Sequence, residues 1–224
     1  MAYEKRFGDP YVWVTWVTGL LAGDKHCMWA AWFRANFTYT KLPDANGDNL
    51  SQWKSEHGDG VRQRVEELTK LGWTVYVEGQ NKLTIKGKSG IKLAGQADIV
   101  AVRNNEALVE DIKTGREKDS DWWQVLIYML FLPAAHDALK EHPARTDTTP
   151  RLEGNVHYTK HAPRPLLASL ASPENLNRVV GMIRMVGGPA PAATPSYGEC
   201  RFCDIADCKS RETEEKAITE TEAF

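Results

Sequence analysis

The sequence predicts an α/β protein whose mixed central β-sheet is flanked by helices. Two observations indicate this class. Helix-like and strand-like segments follow in the order helix, helix, several strands, helix, strand, helix, and turn residues separate them. At 224 residues, the chain is long enough to bury one substantial core. We therefore expect a single domain over residues 1–208, followed by a polar tail at 209–224.

Residues 11–37 are predicted to form one or two helices. The apolar segment YVWVTWVTGLLAG is too short to span a bilayer, and Asp9 and Pro10 separate it from the basic residues before it. We interpret it as a buried helix and not as a signal peptide, so we expect a cytoplasmic protein without membrane association. In the second segment, DKHCMWAAWFRANF, Asp24 is placed to cap the helix.

A longer helix is predicted over residues 51–71. Its apolar residues Val61, Val65 and Leu68 recur at helical spacing, and His57 lies one turn before Val61 on the same face. Gly72 follows directly and is predicted to end the helix.

The remaining elements are predicted from turn and capping residues. Strands are expected in WTVYVEG, KLTIKG, IKLAGQADIVAV, ALVEDIK and GNVHYTKH. A helix should run from Ser120, as its N-cap, to about Leu132, and another should be opened by Ser172 and Pro173. The Pro-, Gly- and Ala-rich residues 187–198 are interpreted as a linker.

Two carboxylates and a lysine end the otherwise apolar strand ALVEDIK. Because side chains alternate along a strand, Asp111 and Lys113 face one side, and Glu110 and Ile112 face the other. A hairpin at RNNE folds the preceding strand back and can bring Asp98 close to Asp111. Two hard oxygen ligands suit magnesium or manganese, and a neighbouring lysine can orient an attacking water. The alternative for Asp111 and Lys113 is a surface ion pair of little energetic value.

Three short motifs occur in order over Gly95–Tyr128: GQAD, DIKTG and QVLIY. Together they resemble the PD-(D/E)XK nuclease superfamily, in particular its RecB-like branch. The matching residues are Gly95, Asp98, Asp111, Lys113, Thr114, Gln124 and Tyr128. The resemblance implies a restriction-endonuclease-like core and metal-dependent hydrolysis of phosphodiester bonds.

The resemblance also implies roles for the residues at the strand ends. Asp98 and Asp111 would bind Mg²⁺ or Mn²⁺ together with the carbonyl oxygen of Ile112. Lys113 would be the catalytic lysine, and both aspartates belong to the catalytic set with it.

Helical residues would complete the site by the same resemblance. Gln124 and Tyr128, one helical turn apart, would steady the site or contact the nucleic acid. The RecB-like branch usually adds a histidine ligand from an upstream helix, and His57 is the candidate. With a shifted register, Arg62 would occupy that position and the ligand would be missing; Glu66 is the fallback.

The four cysteines form a second constellation. Cys27 is remote, whereas Cys200, Cys203 and Cys208 have the spacing C-x2-C-x4-C. A disulfide framework is not expected in a cytosolic chain of this size. Four thiolates can hold either tetrahedral zinc or an iron–sulfur cluster.

The surroundings of the cysteines, HCMWAAWF and ECRFCDIADC, resemble the iron–sulfur RecB-like nucleases. These include the CRISPR-associated exonuclease family and the AddB-type helicase–nuclease subunits. The resemblance implies a 4Fe–4S cluster that fastens the C-terminal segment to the first helix, with zinc as the alternative.

The charge balance limits which surfaces of the protein can attract a nucleic acid. With 28 basic and 30 acidic residues, the net charge is −2, so only a local basic surface can attract nucleic acid. Candidate phosphate contacts are Arg34, Lys41, Lys54, Arg62, Arg64, Lys86, Lys88, Lys92 and Arg116. Candidate stacking residues are Trp53, Trp122 and Trp123, although aromatic residues are more often part of a core.

The leading hypothesis is a metal-dependent exonuclease that acts on the ends of single-stranded DNA. Its setting would be CRISPR adaptation beside an integrase, or phage or repair recombination. One alternative is a non-catalytic module that binds DNA or a partner on the same fold. Another is a sequence-specific endonuclease.

Overall fold

The computed structural model describes residues 3–43, 50–140 and 151–214. The strands in these residues are β1 Tyr3–Lys5, β2 Tyr11–Trp13, β3 Phe37–Tyr39, β4 Thr74–Val77, β5 Lys82–Lys86, β6 Lys92–Gln96, β7 Ile99–Arg103, β8 Glu106–Lys113, β9 Arg151–Tyr158 and β10 Arg164–Leu166. The α-helices are α1 Val14–Ala22, α2 Met28–Asn36, α3 Leu50–Lys70, α4 Asp119–Phe131, α5 Pro173–Gly187 and α6 Tyr197–Cys200.

A five-stranded mixed sheet forms the centre of the fold, with the strand order β10-β9-β8-β7-β4. β8 and β9 pair in parallel, and the other neighbours pair antiparallel. Two smaller sheets have the strand orders β2-β6-β5 and β1-β3. The predicted fold class, a mixed sheet flanked by helices, is confirmed.

The central strand β8 is buried on both faces because a helix packs against each. On one face, Val109 joins the larger core, which includes α4 residues such as Leu126 and Met129. On the other, Ile112 joins a smaller core with Val61 and Leu68 of α3. The sheet therefore separates two cores, and successive side chains of β8 point alternately into one core and the other.

The predicted strand IKLAGQADIVAV is broken in two. β6 ends at Gln96 and β7 begins at Ile99, and the two belong to different sheets. Asn81 bonds to both residues between the two strands. Its backbone carbonyl oxygen accepts the Ala97 N–H at 3.3 Å, and its side-chain Nδ2 donates to the Asp98 backbone carbonyl oxygen at 3.3 Å. The predicted hairpin after β7 is confirmed, with Arg103 opposite Glu106 at its end.

The prediction that the first helix begins at Tyr11 is wrong. Residues Tyr11–Trp13 form β2, which pairs in parallel with Lys92–Ala94 of β6. The helix starts only at Val14. Tertiary pairing overrides the apolar helix-like pattern here, as aromatic and β-branched residues also favour strands.

The predicted Asp24 cap is also wrong. Helix α2 begins at Met28, with Cys27 in the N-cap position and no side-chain cap of its own. Instead, Oε1 of Glu199, from the C-terminal part of the chain, accepts the N–H groups of His26 at 2.9 Å and Cys27 at 3.3 Å. A distant carboxylate thus binds the backbone donors that precede the helix.

Ser120 is not the N-cap of α4. The N-cap is Lys118, two residues earlier, and the Asp121 N–H bonds to the Lys118 carbonyl oxygen at 3.2 Å. Asp119 and Asp121 place negative charge in the first turn, where the helix dipole favours it. By contrast, Ser172 caps α5 as predicted, by accepting a backbone N–H at 3.2 Å.

Part of one prediction falls outside the described residues. Of the predicted tail, residues 209–214 are described and 215–224 are not. The single-domain boundary at residue 208 stays a prediction. None of the helices in the described ranges has the length and apolar character needed to cross a membrane.

Gly154 of β9 marks where α4 lies closest to the sheet. A Cβ added there would lie 2.5 Å from Met129 Sδ and 2.6 Å from Val125 Cγ1. We expect Gly154→Ala to lower the free energy of unfolding by about 1–3 kcal/mol, because the core would be overpacked. Urea denaturation followed by circular dichroism measures this.

Gly181 in the middle of α5 is the matched control, because an added Cβ there meets nothing within 4 Å. Gly181→Ala should stabilise by about 0.5–1 kcal/mol through helix propensity alone. If Gly154→Ala were as stable as the wild type, α4 would not pack on β9 as described.

Candidate active site and cysteine cavity

Asp111, Lys113 and Gln124 form a closed triangle at the end of β8. Lys113 Nζ lies 2.5 Å from Asp111 Oδ2 and donates to Gln124 Oε1 at 3.1 Å, while Gln124 Nε2 donates to Asp111 Oδ1 at 2.8 Å. Asp111 is 1% exposed. The alternative of a surface ion pair is therefore excluded for Asp111, whose charge is held by specific partners below the surface.

Asp98 lies on the strand beside this triangle. The β7–β8 register pairs Ile99 with Glu110, so one further step places Asp98 opposite Asp111, on the same face of the sheet. Its Oδ2 accepts the Ile112 N–H at 2.7 Å. The structure thus brings the two predicted acids together around the hairpin, as the sequence indicated.

His57 reaches the same place from α3. Its Nε2 lies 3.5 Å from Asp98 Oδ1, and its Nδ1 is buried without a hydrogen-bond partner. The hydrogen-bonding carboxylate of Asp98 raises the pKa of His57. Arg62, the alternative under a shifted register, is exposed and pairs with Asp59, and Glu66 is exposed. His57 alone of the three candidates contacts an acid of the site.

Burial and charge oppose each other at the triangle. Burial raises the pKa of Asp111 to about 6, against the charge of Lys113. For Lys113, burial disfavours the ammonium, but the charge and hydrogen bond of Asp111 and the charge of Asp121 outweigh it, so its pKa is raised. Lys113 is therefore a permanent cation at neutral pH.

Tyr128 is buried on α4 and hydrogen-bonds to the end of β6. Its hydroxyl donates to the Gln96 carbonyl oxygen at 2.9 Å and accepts the Gln96 N–H at 3.2 Å, and the residue is 1% exposed. A Cβ on the neighbouring Gly95 would lie 2.9 Å from the Tyr128 ring, so glycine is needed for this contact. Of the two roles predicted for Tyr128, the structure favours steadying the site over contacting nucleic acid.

Asp121 is a site residue that sequence reasoning missed. Its Oδ1 lies 3.9 Å from Lys113 Nζ, and its Oδ2 accepts the Tyr158 hydroxyl at 3.1 Å. Asp121 precedes Gln124 by one helical turn, so helical spacing places both on one face of α4. That three-residue spacing is the sequence pattern from which Asp121 could have been predicted as a site residue.

The site opens into a cleft of about 910 Å³, which Lys113 and Gln124 line. Among the predicted stacking residues, Trp123 is buried and Trp122 is packed against the core. Trp53 is 49% exposed and stacks on His57, with ring centroids 5.4 Å apart. Only Trp53 of the three is therefore available to a nucleic-acid base.

The opposite side of β8 holds a buried ion pair. Glu110 is fully buried and accepts Arg64 Nε at 2.8 Å, Arg64 Nη2 at 2.9 Å and Asn155 Nδ2 at 2.7 Å. Arg64, predicted as a phosphate contact, is thereby committed to a structural role. Glu110 and Asp111, adjacent in sequence, serve different layers of the fold.

We expect Arg64→Leu to destabilise the protein by about 3–5 kcal/mol, because the Glu110 carboxylate would be left buried and without its cation. The double variant Arg64→Leu/Glu110→Leu should recover most of that loss, since it removes both charges. Denaturant unfolding of the two variants measures the difference. Equal stability of the single variant and the wild type would contradict the buried pair.

The four cysteines line one cavity of about 210 Å³. Cys27 comes from the start of α2, and Cys200, Cys203 and Cys208 come from the C-terminal knuckle, which we define as residues 197–211. All four are free thiols. Burial, and then the neighbouring Cys203, Cys200 and Cys27, raise the pKa of the Cys208 thiol. Cys27 and the three C-terminal cysteines therefore share the lining of one cavity, while their role as ligands stays a prediction.

Ion pairs fasten the knuckle to α2 and β3. Asp204 Oδ1 accepts Arg34 Nη2 at 2.8 Å and Nε at 3.0 Å, and its Oδ2 accepts the Tyr39 hydroxyl at 3.0 Å. Arg211 donates to the carbonyl oxygens of Cys200, Cys203 and Ile205. Arg34, predicted as a phosphate contact, is thus paired within the fold.

The donor atoms at both places suit the metals that the sequence predicts. Across the described ranges, no group of three or more His, Cys, Asp or Glu side chains converges closely enough to hold a metal ion. Yet Asp111 Oδ2 has no aligned hydrogen-bond donor, and His57 Nδ1 has no partner. Carboxylate oxygens with one imidazole match the preferences of Mg²⁺ or Mn²⁺, and four thiols match those of iron–sulfur clusters or zinc.

Comparison with protein families agrees with this geometry. The sequence model of the PD-(D/E)XK nuclease superfamily matches residues 28–208. The chain therefore belongs to the PD-(D/E)XK nuclease superfamily, whose members are metal-dependent nucleases. The match identifies the superfamily and no branch within it, so the RecB-like branch and its iron–sulfur centre stay predictions.

Other comparisons add little. The crystal structure of SSO0001 is similar at 14% sequence identity and a TM-score of 0.44, over 93% of this chain and 90% of that chain. At this TM-score the likeness supports no argument on function. No curated protein sequence matches the chain.

Proposed function

We propose that the protein is a Mg²⁺- or Mn²⁺-dependent deoxyribonuclease that hydrolyses single-stranded DNA from its ends. The observation that carries the proposal is the triangle of Asp111, Lys113 and Gln124, with Asp98 opposite Asp111. A buried acid and a permanent cation beside a cleft of about 910 Å³ are groups that can bind a phosphodiester and stabilise the charge that develops during its hydrolysis.

Each side chain has a distinct task in the proposed hydrolysis. Asp98, Asp111, His57 and the Ile112 carbonyl oxygen would hold the divalent cation, which supplies Lewis acidity at the phosphate. Lys113 stabilises the negative charge that develops on the phosphate oxygens as water attacks the phosphorus.

Gln124 and Tyr128 act through these groups. Gln124 bonds both Asp111 and Lys113, so it fixes the distance between the acid and the ammonium. Tyr128 fixes the end of β6 next to Asp98. Both would be positioning residues, whose loss disorders the site.

The preference for single strands and the biological setting follow from the resemblance to RecB-like nucleases. The exposed ring of Trp53 beside His57 supports it, since stacking on an aromatic ring tolerates any base but requires it unpaired. We place the activity in the cytoplasm, in CRISPR adaptation beside an integrase, or in phage or repair recombination.

We expect Lys113→Met to lower Mn²⁺-dependent degradation of end-labelled single-stranded DNA by about 100-fold or more, because one preorganised charge is lost. Methionine keeps the apolar stem. Lys70→Met, at the exposed end of α3, is the matched control and should match the wild type. Thermal unfolding confirms that both variants are folded.

Circular single-stranded DNA separates the alternatives. An exonuclease leaves circles intact, whereas a sequence-specific endonuclease cuts them. Equal activity of Lys113→Met and wild type, or none in either, would favour the non-catalytic module.

We further propose that the cysteine cavity holds a 4Fe–4S cluster. The support is the convergence of four thiols from the start of α2 and from the knuckle on one cavity. Such a centre would join the chain across the irregular residues 188–196 and offset the entropy of holding the knuckle in place.

Anaerobically purified protein should be brown and contain about four iron and four sulfide per chain. Cys203→Ser should lose most of this iron, because one thiolate ligand is removed. Elemental analysis and visible absorption measure both. A colourless protein with one zinc per chain would establish the zinc alternative.

A further inference from the structure

Two recesses adjoin on the surface that carries Lys113. The cleft of about 910 Å³ contains Lys113, and a second recess of about 640 Å³ reaches Arg201 and Phe202 of the knuckle. Thr15 and Lys25 line both recesses. The two recesses therefore adjoin at these residues, and we call them together the groove, which extends from Lys113 to the segment that carries three of the four cysteines.

The groove contains cations of two kinds. The first kind is paired within the fold: Arg34 and Lys41 with Asp204, and Arg164 with Asp119. These pairs hold the walls together and are already neutralised. They leave little charge for a ligand.

Four other cations in the groove are exposed and make no ion pair with any carboxylate in the described part of the chain. They are Lys25, Arg116, Lys118 and Arg201. The stem of Lys25 lies over Gly19, where an added Cβ would be 3.0 Å from it, and this residue lines both recesses. Burial lowers the pKa of its amine, and the nearby charge of Glu199 opposes this. Asp24 and Glu117 also line the cleft, but over both recesses nine cations face five carboxylates, a local excess in a chain of net charge −2.

An exposed aromatic ring lies at the far end of the groove. Phe202 is 61% exposed, and the guanidinium of Arg201 lies 5.6 Å from its ring centroid. Free cations along a groove that ends in an exposed aromatic ring are the features with which proteins bind single-stranded nucleic acid without sequence preference. An acidic peptide would use the cations but would have no need of the ring.

We propose that single-stranded DNA lies along this groove from Lys113 to the knuckle, with its phosphates on the unpaired cations and a base stacked on Phe202. The proposal rests on the proposed nuclease function and names the path of its substrate. Phe202 stands between Cys200 and Cys203, so whatever orders the cysteines also orders the stacking ring. The cysteine site would then contribute to DNA affinity and not only to stability.

Fluorescence anisotropy with labelled oligothymidylates of about 4 and about 20 nucleotides, in EDTA to prevent hydrolysis, tests the path. The variant Arg201→Glu/Phe202→Ala should bind the long strand about tenfold or more weakly, since stacking and a phosphate contact are lost. It should bind the short strand, when that strand occupies the cleft, as the wild type does. A merely damaged protein would lose affinity at both lengths.

The double variant Arg116→Glu/Lys118→Glu tests the end of the groove that contains Lys113. It should weaken binding of both strands, and the slope of log K against log salt should become shallower by about 1.4, because each lost phosphate contact removes about 0.7. Lys70→Glu is the matched charge reversal. Lys70 is the last residue of α3 and is followed by Leu71, whose carbonyl oxygen accepts a hydrogen bond from Arg103, so the variant should bind as the wild type does.

The two failures are distinguishable. If the wild type degrades DNA but the groove variants bind both strands normally, the path is wrong and the nuclease stands. If the wild type shows no hydrolysis but the length-dependent loss appears, the nuclease fails and the groove stands. Equal competition by polyglutamate, with no effect of Phe202→Ala alone, would overturn the proposal in favour of an acidic protein partner.

Discussion

The hydrogen bond from the Ile112 N–H to the Asp98 carboxylate is the contact on which the rest of the site depends. It replaces one rung of the β7–β8 ladder with a side chain, at the point where the chain leaves one sheet for another. The Asp98 carbonyl oxygen is meanwhile held by Asn81 and by the Glu78 N–H at 3.0 Å. Because backbone and side chain are both fixed, the Asp98 carboxylate is held at the end of β8 before any ligand arrives.

The neighbouring acids Glu110 and Asp111 show how one strand serves two purposes. Both are buried, and a buried carboxylate is costly unless its charge is compensated. On one face of the sheet, Arg64 satisfies Glu110 with two hydrogen bonds, so that acid is part of the structure. On the other face, Asp111 pairs with Lys113, which also lines the cleft, and its Oδ2 atom has no aligned hydrogen-bond donor. The acid with incomplete compensation is thus the one whose partners, Lys113 and Gln124, line the cleft.

The C-terminal knuckle is held by protein groups as well as by whatever its thiols bind. Arg211 satisfies three of its carbonyl oxygens, and Asp204 is paired with Arg34 and hydrogen-bonded to Tyr39. The Arg34 guanidinium lowers the pKa of Asp204 although burial opposes this. The same knuckle carries Phe202, so its fixed position bears on both the cysteine cavity and the groove.

Local patterns were enough for much of the fold and for the chemistry of the site. The helix that carries His57, the RNNE hairpin and the acid–lysine strand end all depend on neighbours in sequence, and spacing reveals them. The strand of Tyr11–Trp13, the start of α2 and the break before Asp98 were not predictable in this way. Their partners lie far along the chain. By itself, the sequence determined which residues could carry the chemistry. Only the tertiary structure decided which acids share a face, which arginines are neutralised and which aromatic rings remain exposed, because long-range pairing and burial set those outcomes.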